Sequence, residues 1–233
     1  MASVVDFLRG STVFAAVPAR ELTSLAALAR EQTYRAREVV FDEAEPADWF
    51  CIVRSGRVKI VRQSRGGKDV VLDVLGPGEP FGGVAAIEGR PYPASAQTME
   101  ATVVLKLPSD AVRALTERYP TIIREMALMM GRRLRTAHDS VTSLAVDPVE
   151  ARLASTLLRL GERDGQRGAT GVSLPFHLTR QTLADMTGTT VETTIRTLSR
   201  WLRDGFVRDD GQHLVLVDLE ALRAIADTDS DTA

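Results

Sequence analysis

The sequence predicts an α+β chain: a β-roll (jelly roll) fronted by short helices, one long central helix, and a C-terminal winged helix-turn-helix. Three observations carry this. Short β-prone runs, separated by glycine, proline and acidic turns, fill residues 39–107. Apolar residues at coiled-coil spacing follow Pro120. Two helix patterns joined across Gly188 precede a hairpin pattern that closes at Val217.

Residues 3–33 carry apolar groups at helical spacing (Leu22, Leu25, Leu28), so one or two short helices open the chain. The rhythm changes at Arg37. Val39–Phe41, Trp49–Val53, Val58–Val61 and Val70–Leu75 read as strands, and Glu45-Pro46, Ser55-Gly56, Gly66-Gly67 and Gly76-Pro77-Gly78 as the turns between them. Ala94–Met99 and Val103–Leu107 form a further strand pair. Pro108-Ser109-Asp110 starts a helix with Ser109 or Asp110 as cap. Pro120 suits the first turn of the next helix, where its missing N–H costs nothing. That helix is expected over Pro120–Leu144, roughly 37 Å long. Its stripe is Ile123, Met126, Met130, Leu134, Ala137, Val141 and Leu144. A stripe so spaced fits a pairing seam with a second copy, the alternative being packing on its own domain. Gly131 weakens the helix by about 1 kcal/mol against alanine. Asp147-Pro148-Val149-Glu150 reads as a capping box opening a helix over 148–162, and Gly161 to Gly171 as a polar loop.

These breaks divide the chain into a roll domain with N-terminal helices (1–108), pairing helices (109–146), a winged helix-turn-helix (147–226) and a disordered tail (227–233). In the third, Thr179 caps a helix over 180–186, Gly188 turns, and Thr189 or Thr190 caps a helix to about Asp204. The wing follows, turning at Asp209-Asp210-Gly211. In such a module the second helix enters the major groove by its N-terminal half. Arg196 can give two hydrogen bonds to guanine, and Glu192 can accept one from cytosine. Four residues apart, they share a face and can brace each other, or Glu192 can serve a capping box on Thr189. Val191 lies on the same stretch, and Thr179, Arg180, Thr190 and Thr193 sit where phosphates can be held.

Composition agrees. The 233 residues suffice for two cores, and a net charge of −2 excludes a polycation that grips nucleic acid indiscriminately. Residues 179–208 hold five arginines against three acids, a mild local excess. A lone Cys51 makes neither an internal disulfide nor a metal or iron–sulfur cluster. No apolar run approaches a membrane span, and no basic segment precedes the first apolar residues as in a secretory signal, so a cytoplasmic setting without a membrane partner is expected. No nucleophile–base pair or phosphate loop points to an enzyme. His177 and His213, beside strands and at the wing, read as structural.

The order of roll, long helix and winged helix resembles the CRP/FNR transcription regulators over nearly the whole chain. The residues carrying the resemblance are Ser55-Gly56-Arg57-Val58-Lys59, Gly76-Pro77-Gly78 to Phe81-Gly82, and Leu178–Val207. Thr190-Val191-Glu192-Thr193 with Arg196 is most similar to the FNR branch, with Ile195 where that branch has a serine. The resemblance implies a homodimer on a palindromic operator, double-stranded DNA and RNA polymerase as partners, and a signal received at the roll. It also implies an effector site near Phe81, Gly82, Gly83, Arg90, Tyr92, Pro93 and His138. Cyclic-nucleotide-binding relatives carry a Glu where Gly83 stands, an Arg-Ser pair where Tyr92-Pro93 stands, and a Thr-Ser pair where Ala137-His138 stands. These departures argue against cyclic AMP, with Arg90 the nearby substitute cation. Residues 91–97 (Pro-Tyr-Pro-Ala-Ser-Ala-Gln) look more like the non-nucleotide branches. A haem would need Cys51, a Met, a Tyr or His138 as ligand, so no cofactor is assigned. Cys51 reads as a buried structural thiol, His138 as a candidate switch, and a regulator without ligand stays open. The alternative function is a cyclic-nucleotide-binding effector whose winged helix contacts protein; it predicts nucleotide binding without salt-dependent DNA affinity.

Overall fold

The protein is described by a computed structural model covering residues 3–63, 69–211 and 213–227. The expected turn at Gly66-Gly67 and the expected tail from 228 onward lie outside these residues. The described chain packs as two compact units, one running to Arg62 and again from Leu72 to Arg135, the other taking the rest.

The first unit opens with α1 (Val4–Gly10) and α2 (Ala19–Leu28). Ser3 accepts the Asp6 N–H at 3.1 Å and so caps α1. Leu22 and Leu25 are buried, whereas Leu28, where α2 stops, is exposed. Then come β1 (Arg30–Tyr34), β2 (Val39–Phe41), β3 (Trp49–Ser55), β4 (Val58–Gln63), β5 (Asp69–Leu75), β6 (Pro80–Phe81), α3 (Gly83–Glu88), β7 (Ser95–Thr98) and β8 (Thr102–Pro108). They form two four-stranded sheets, ordered β1-β8-β3-β6 and β2-β7-β4-β5, which make the expected roll. Phe50, Ile52, Leu105 and Leu107 from β3 and β8 are fully buried, and Phe14 meets Phe50 edge-on at 5.6 Å. Each such side chain contributes about 1.5–3 kcal/mol of hydrophobic stabilisation.

Three elements here were not expected. Residues 30–33 fall in the stretch read at helical spacing, yet residues 30–34 form a strand that pairs with β8 from Arg30↔Lys106 to Tyr34↔Thr102. An edge strand with four exposed residues of five needs no apolar pattern of its own. The short β6 and α3 lie between the turn at Gly76-Pro77-Gly78 and the strand read at Ala94–Met99, where no element was expected.

α4 (Ser109–Arg118) starts one residue earlier than its expected caps. Pro108 holds the cap position, and Ser109 is the first helical residue. α5 (Thr121–Val146) follows, with the Pro120 carbonyl accepting the Arg124 N–H at 3.1 Å. Met126 does not lie on the exposed stripe of α5. It is 5% exposed and belongs to the roll core with Ile122. Ala127 takes its place, so the outward stripe is Ile123, Ala127, Met130, Leu134, Ala137, Val141 and Leu144. Its spacings alternate four and three, a stricter heptad than the sequence reading.

In the second unit, α6 (Val149–Asp164) is not opened by the expected capping box. Pro148 occupies the cap position with no side-chain bond. The Asp147 carboxylate takes the Ser143 hydroxyl instead, and Glu150 pairs with Arg200. The expected glycine-rich loop contains β9 (Gln166–Gly168) and β10 (Gly171–Ser173), which pair antiparallel. Next come α7 (Arg180–Thr187), α8 (Val191–Arg203), β11 (Val207–Asp209), β12 (Leu214–Leu216) and α9 (Leu219–Ala226). The wing is therefore half of a four-stranded sheet ordered β11-β12-β10-β9. Trp201, Leu153, Leu157 and Phe176 centre this core.

Candidate nucleic-acid interface and roll cavity

Local chemistry sets the pair α7–α8. The Thr179 hydroxyl accepts the Thr182 N–H at 3.0 Å, and the Thr190 hydroxyl accepts the Thr193 N–H at 3.2 Å. Each satisfies an amide that the first helical turn leaves orphaned. Between them Gly188 turns the chain at φ 62°, in the left-handed region. A Cβ there would come within 2.7 Å of Leu144 Cδ2.

α8 buries Thr194, Thr197, Leu198 and Trp201. The opposite face carries Glu192, Ile195 and Arg196, all exposed, with Ile195 at 48%. Ile195 belongs to this face, although as an apolar residue it gave no sign of a contact role by type. Its spacing of three from Glu192 was the available signal. Val191 and Thr193 are half-buried beside them.

The sequence reading allowed Glu192 to brace Arg196, or to close a capping box on Thr189. The cap is Thr190, which makes Glu192 the second helical residue. Its carboxyl is held below the usual range by its own backbone N–H and then by the Thr190 hydroxyl. Among the described residues no ion pair joins Glu192 to Arg196. An anion at the positive end of a helix is stable without the arginine, and this leaves Arg196 exposed for an outside partner.

Arg180 does not stand open for phosphate as expected. It pairs with Asp209 of the wing at 2.8 Å. Asp209 also accepts the Gly211 N–H, and that bond, followed by Arg180, lowers its carboxyl pKa. The pair ties the start of α7 to the wing. Thr190 and Thr193 join hydroxyls at 3.1 Å on the exposed side. His177 and His213, read as structural, both line a polar cleft with Thr179, Arg180 and Asp209.

The roll holds a cavity of about 140 Å³ between its sheets and the first half of α5. Of the expected effector residues, Phe81, Gly82, Gly83, Tyr92 and Pro93 line it; Arg90 and His138 do not. Arg90 is exposed and faces Glu88 at 3.9 Å, and His138 is exposed in the other unit. Met129 and Arg133 were missed, because a helix stripe cannot show which of its flanks a cavity meets.

The cavity does not fit a cyclic nucleotide. Tyr92 stacks on Phe41 at 3.6 Å, and its hydroxyl donates to the Trp49 carbonyl at 2.7 Å. It is a buried structural ring, at the position where the family resemblance implies a cation. A Cβ on Gly83 would come within 2.5 Å of the Phe50 ring, so an acid there requires that buried ring to move. Arg133, the only cation in the lining among the described residues, pairs with Asp73 at 3.3 Å and donates to the Pro80 carbonyl at 3.0 Å. A cyclic phosphate would enter without a free positive partner, which is costly in an apolar site. As for haem, Cys51 does not line the cavity, and burial pushes its thiol up to about 12. Among the described residues no group of three His, Cys, Asp or Glu is placed to hold a metal.

A helix-turn-helix with a wing, presenting an acid and an arginine from the second helix, joined to a β-roll that encloses a cavity, defines a DNA-binding transcription regulator with a regulatory domain. The family model for the cyclic nucleotide-binding domain matches residues 31–119, and that for the Crp-like helix-turn-helix domain matches 151–225. The chain belongs to the CRP/FNR family of transcription regulators. It is 27% identical over 217 residues to the CRP-like cAMP-activated global transcriptional regulator of Mycobacterium tuberculosis, covering 93% of this chain and 97% of that one. It is 28% identical to the cyclic AMP receptor protein of Thermus thermophilus, covering 86% and 90%. The solved structure of FixK2 from Bradyrhizobium japonicum superposes with a TM-score of 0.75 at 25% identity, covering 88% of this chain and 99% of that one. Among the described residues no helix is long and apolar enough to cross a membrane.

Proposed function

We propose that the protein acts in the cytoplasm as a homodimer on a palindromic operator, with RNA polymerase as its further partner. Each copy inserts α8 into one major groove. Arg196 reads guanine, Glu192 reads cytosine, and Ile195 meets a thymine methyl. Thr179, Thr190 and Thr193 hold phosphates; Arg180 orients the wing through Asp209. The dimer forms along Ile123, Ala127, Met130, Leu134, Ala137, Val141 and Leu144 of α5, and a signal at the roll shifts the population of its arrangements.

The carrying observation is the division of α8: Thr194, Thr197, Leu198 and Trp201 inward, Glu192, Ile195 and Arg196 outward. The exposed stripe on α5 supports the dimer, with Leu134 at 56% and Val141 at 66% exposure. A lone chain would leave these residues in water.

The test is selection of duplexes from a random pool, followed by sedimentation of protein alone and on the selected duplex. The expected result is a twofold-symmetric site with half-sites one helical turn apart, bound by two chains. Asymmetric sites, or a monomer that binds the selected duplex at full affinity, would refute the proposal. A Leu134→Glu, Val141→Glu double variant is expected to be monomeric and to lose the site.

A further inference from the structure

We propose that the roll cavity is a binding site for a small, uncharged, largely apolar molecule, and that the Arg133–Asp73 pair at its edge rejects anions. This rests on the reading above that a signal enters at the roll, and it names the chemical class of that signal.

The walls supply the first argument. Phe41, Phe81 and Tyr92 form an aromatic side, and Ile60 and Ala94 continue it. Met126, Met129 and Met130 face them from α5. Thioethers on unbranched stems adapt to irregular apolar shapes and contact aromatic rings favourably. The Tyr92 hydroxyl is already committed to Trp49, so the ring offers only its apolar face.

Charge supplies the second. The Arg133 guanidinium meets Asp73 at 3.3 Å and the Pro80 carbonyl at 3.0 Å. The pair is net neutral, and both side chains are 28% exposed. An anionic ligand would place two negative groups on one arginine, leaving an uncompensated charge against an apolar wall. A cationic ligand would find the Asp73 carboxylate already engaged by Arg133. A neutral molecule disturbs neither partner.

Position supplies the third. Met129 and Met130 are half-buried, and Met130 also lies on the outward stripe of α5. A molecule seated in the cavity therefore touches the helix proposed to join two copies.

The experiment compares two fluorescent probes with one aromatic body. 1-Naphthol is neutral at pH 7, and 1-naphthalenesulfonate carries a sulfonate. Full-length protein is expected to bind the neutral probe stoichiometrically per chain and the sulfonate at least about tenfold more weakly. Asp73→Asn keeps the side-chain shape but frees Arg133 for an anion, so it is expected to raise sulfonate affinity about tenfold, one unit charge being of that order, and to leave the neutral probe unchanged. Met129→Trp fills the cavity and is expected to abolish binding of the neutral probe while the thermal midpoint stays within a few degrees. Equal binding of both probes by the parent protein, no response to Asp73→Asn, persistence of neutral-probe binding in Met129→Trp, or micromolar binding of cyclic AMP by calorimetry would each overturn the inference. DNA binding by the same preparations is measured separately. Its loss bears on the regulator reading, and its persistence with failed probe binding overturns only the ligand class.

Discussion

Truncating Arg196 to alanine tests the reading face directly. The side chain is exposed on α8, and no ion pair engages it among the described residues. Its removal should therefore leave stability within about 0.5 kcal/mol of the parent. On DNA the same truncation deletes a bidentate contact to guanine worth about 1–3 kcal/mol, roughly a 5- to 150-fold loss per half-site. The lost positive charge also weakens nonspecific binding, but only modestly. The discriminating quantity is the ratio of affinities for the selected operator and for a scrambled duplex at fixed salt, read by fluorescence anisotropy. Arg196→Ala should collapse that ratio. Arg196→Lys should recover the nonspecific affinity and not the ratio, because an ammonium keeps the charge and lacks the planar fork. If Arg196→Ala weakened operator and scrambled duplex by the same factor, Arg196 would be a phosphate contact and the assigned role would fall.

Gly188→Ala forces a side chain into a left-handed turn and within 2.7 Å of Leu144 Cδ2. A loss of about 1–2 kcal/mol from the backbone alone is expected in chemical denaturation. An unchanged midpoint would show that the turn relaxes freely. Asp209 is held below the usual carboxylate range by the Gly211 N–H and then Arg180, so its contribution is present above an unfolded pKa of about 3.9 and lost as pH falls through the lowered folded value. Because Asp209 is largely exposed, the effect should be a fraction of a kcal/mol. Asp209→Asn should flatten the acid limb of stability against pH, and an identical limb in parent and variant would refute the linkage. Cys51 is fully buried, and burial pushes its thiol up to about 12. The native protein at pH 8 should resist thiol-specific reagents that label it in denaturant. Rapid native labelling would show that this strand opens.

The winged helix-turn-helix was legible because its punctuation is chemical. Thr179 and Thr190 each accept the amide three places on, and Gly188 supplies a conformation that other residues resist. The strands of the roll were legible where turns bracket apolar runs. Strand β1 was not, since its pairing with β8 lies in the partner and its own residues face water. The Met126 misplacement has the same origin: Met126 and Ala127 are both apolar, and only the roll decides which one turns inward. Asp147 and Glu150 matched a capping box in type and spacing, but Ser143 and Arg200 claimed their carboxylates first. At the interface, nothing in residue type or spacing shows that Arg180 is spoken for by Asp209, twenty-nine residues away. In the cavity, the missing cation at Tyr92 came from the family resemblance, while the Arg133–Asp73 neutralisation needed coordinates.

The Phe41–Tyr92 stack has a bearing on how this roll can change over generations. Building a nucleotide pocket by single substitutions meets a packing cost at Gly83 and at Tyr92 alike. An acid at Gly83 collides with Phe50 before any ribose can reward it, and an arginine at Tyr92 removes a buried ring and the bond that holds Trp49. Each intermediate loses stability and gains no ligand, so the route requires several replacements at once. A designer aiming to convert this receptor would do better to exchange the whole segment from Pro80 to Ala94 than to edit its residues one by one.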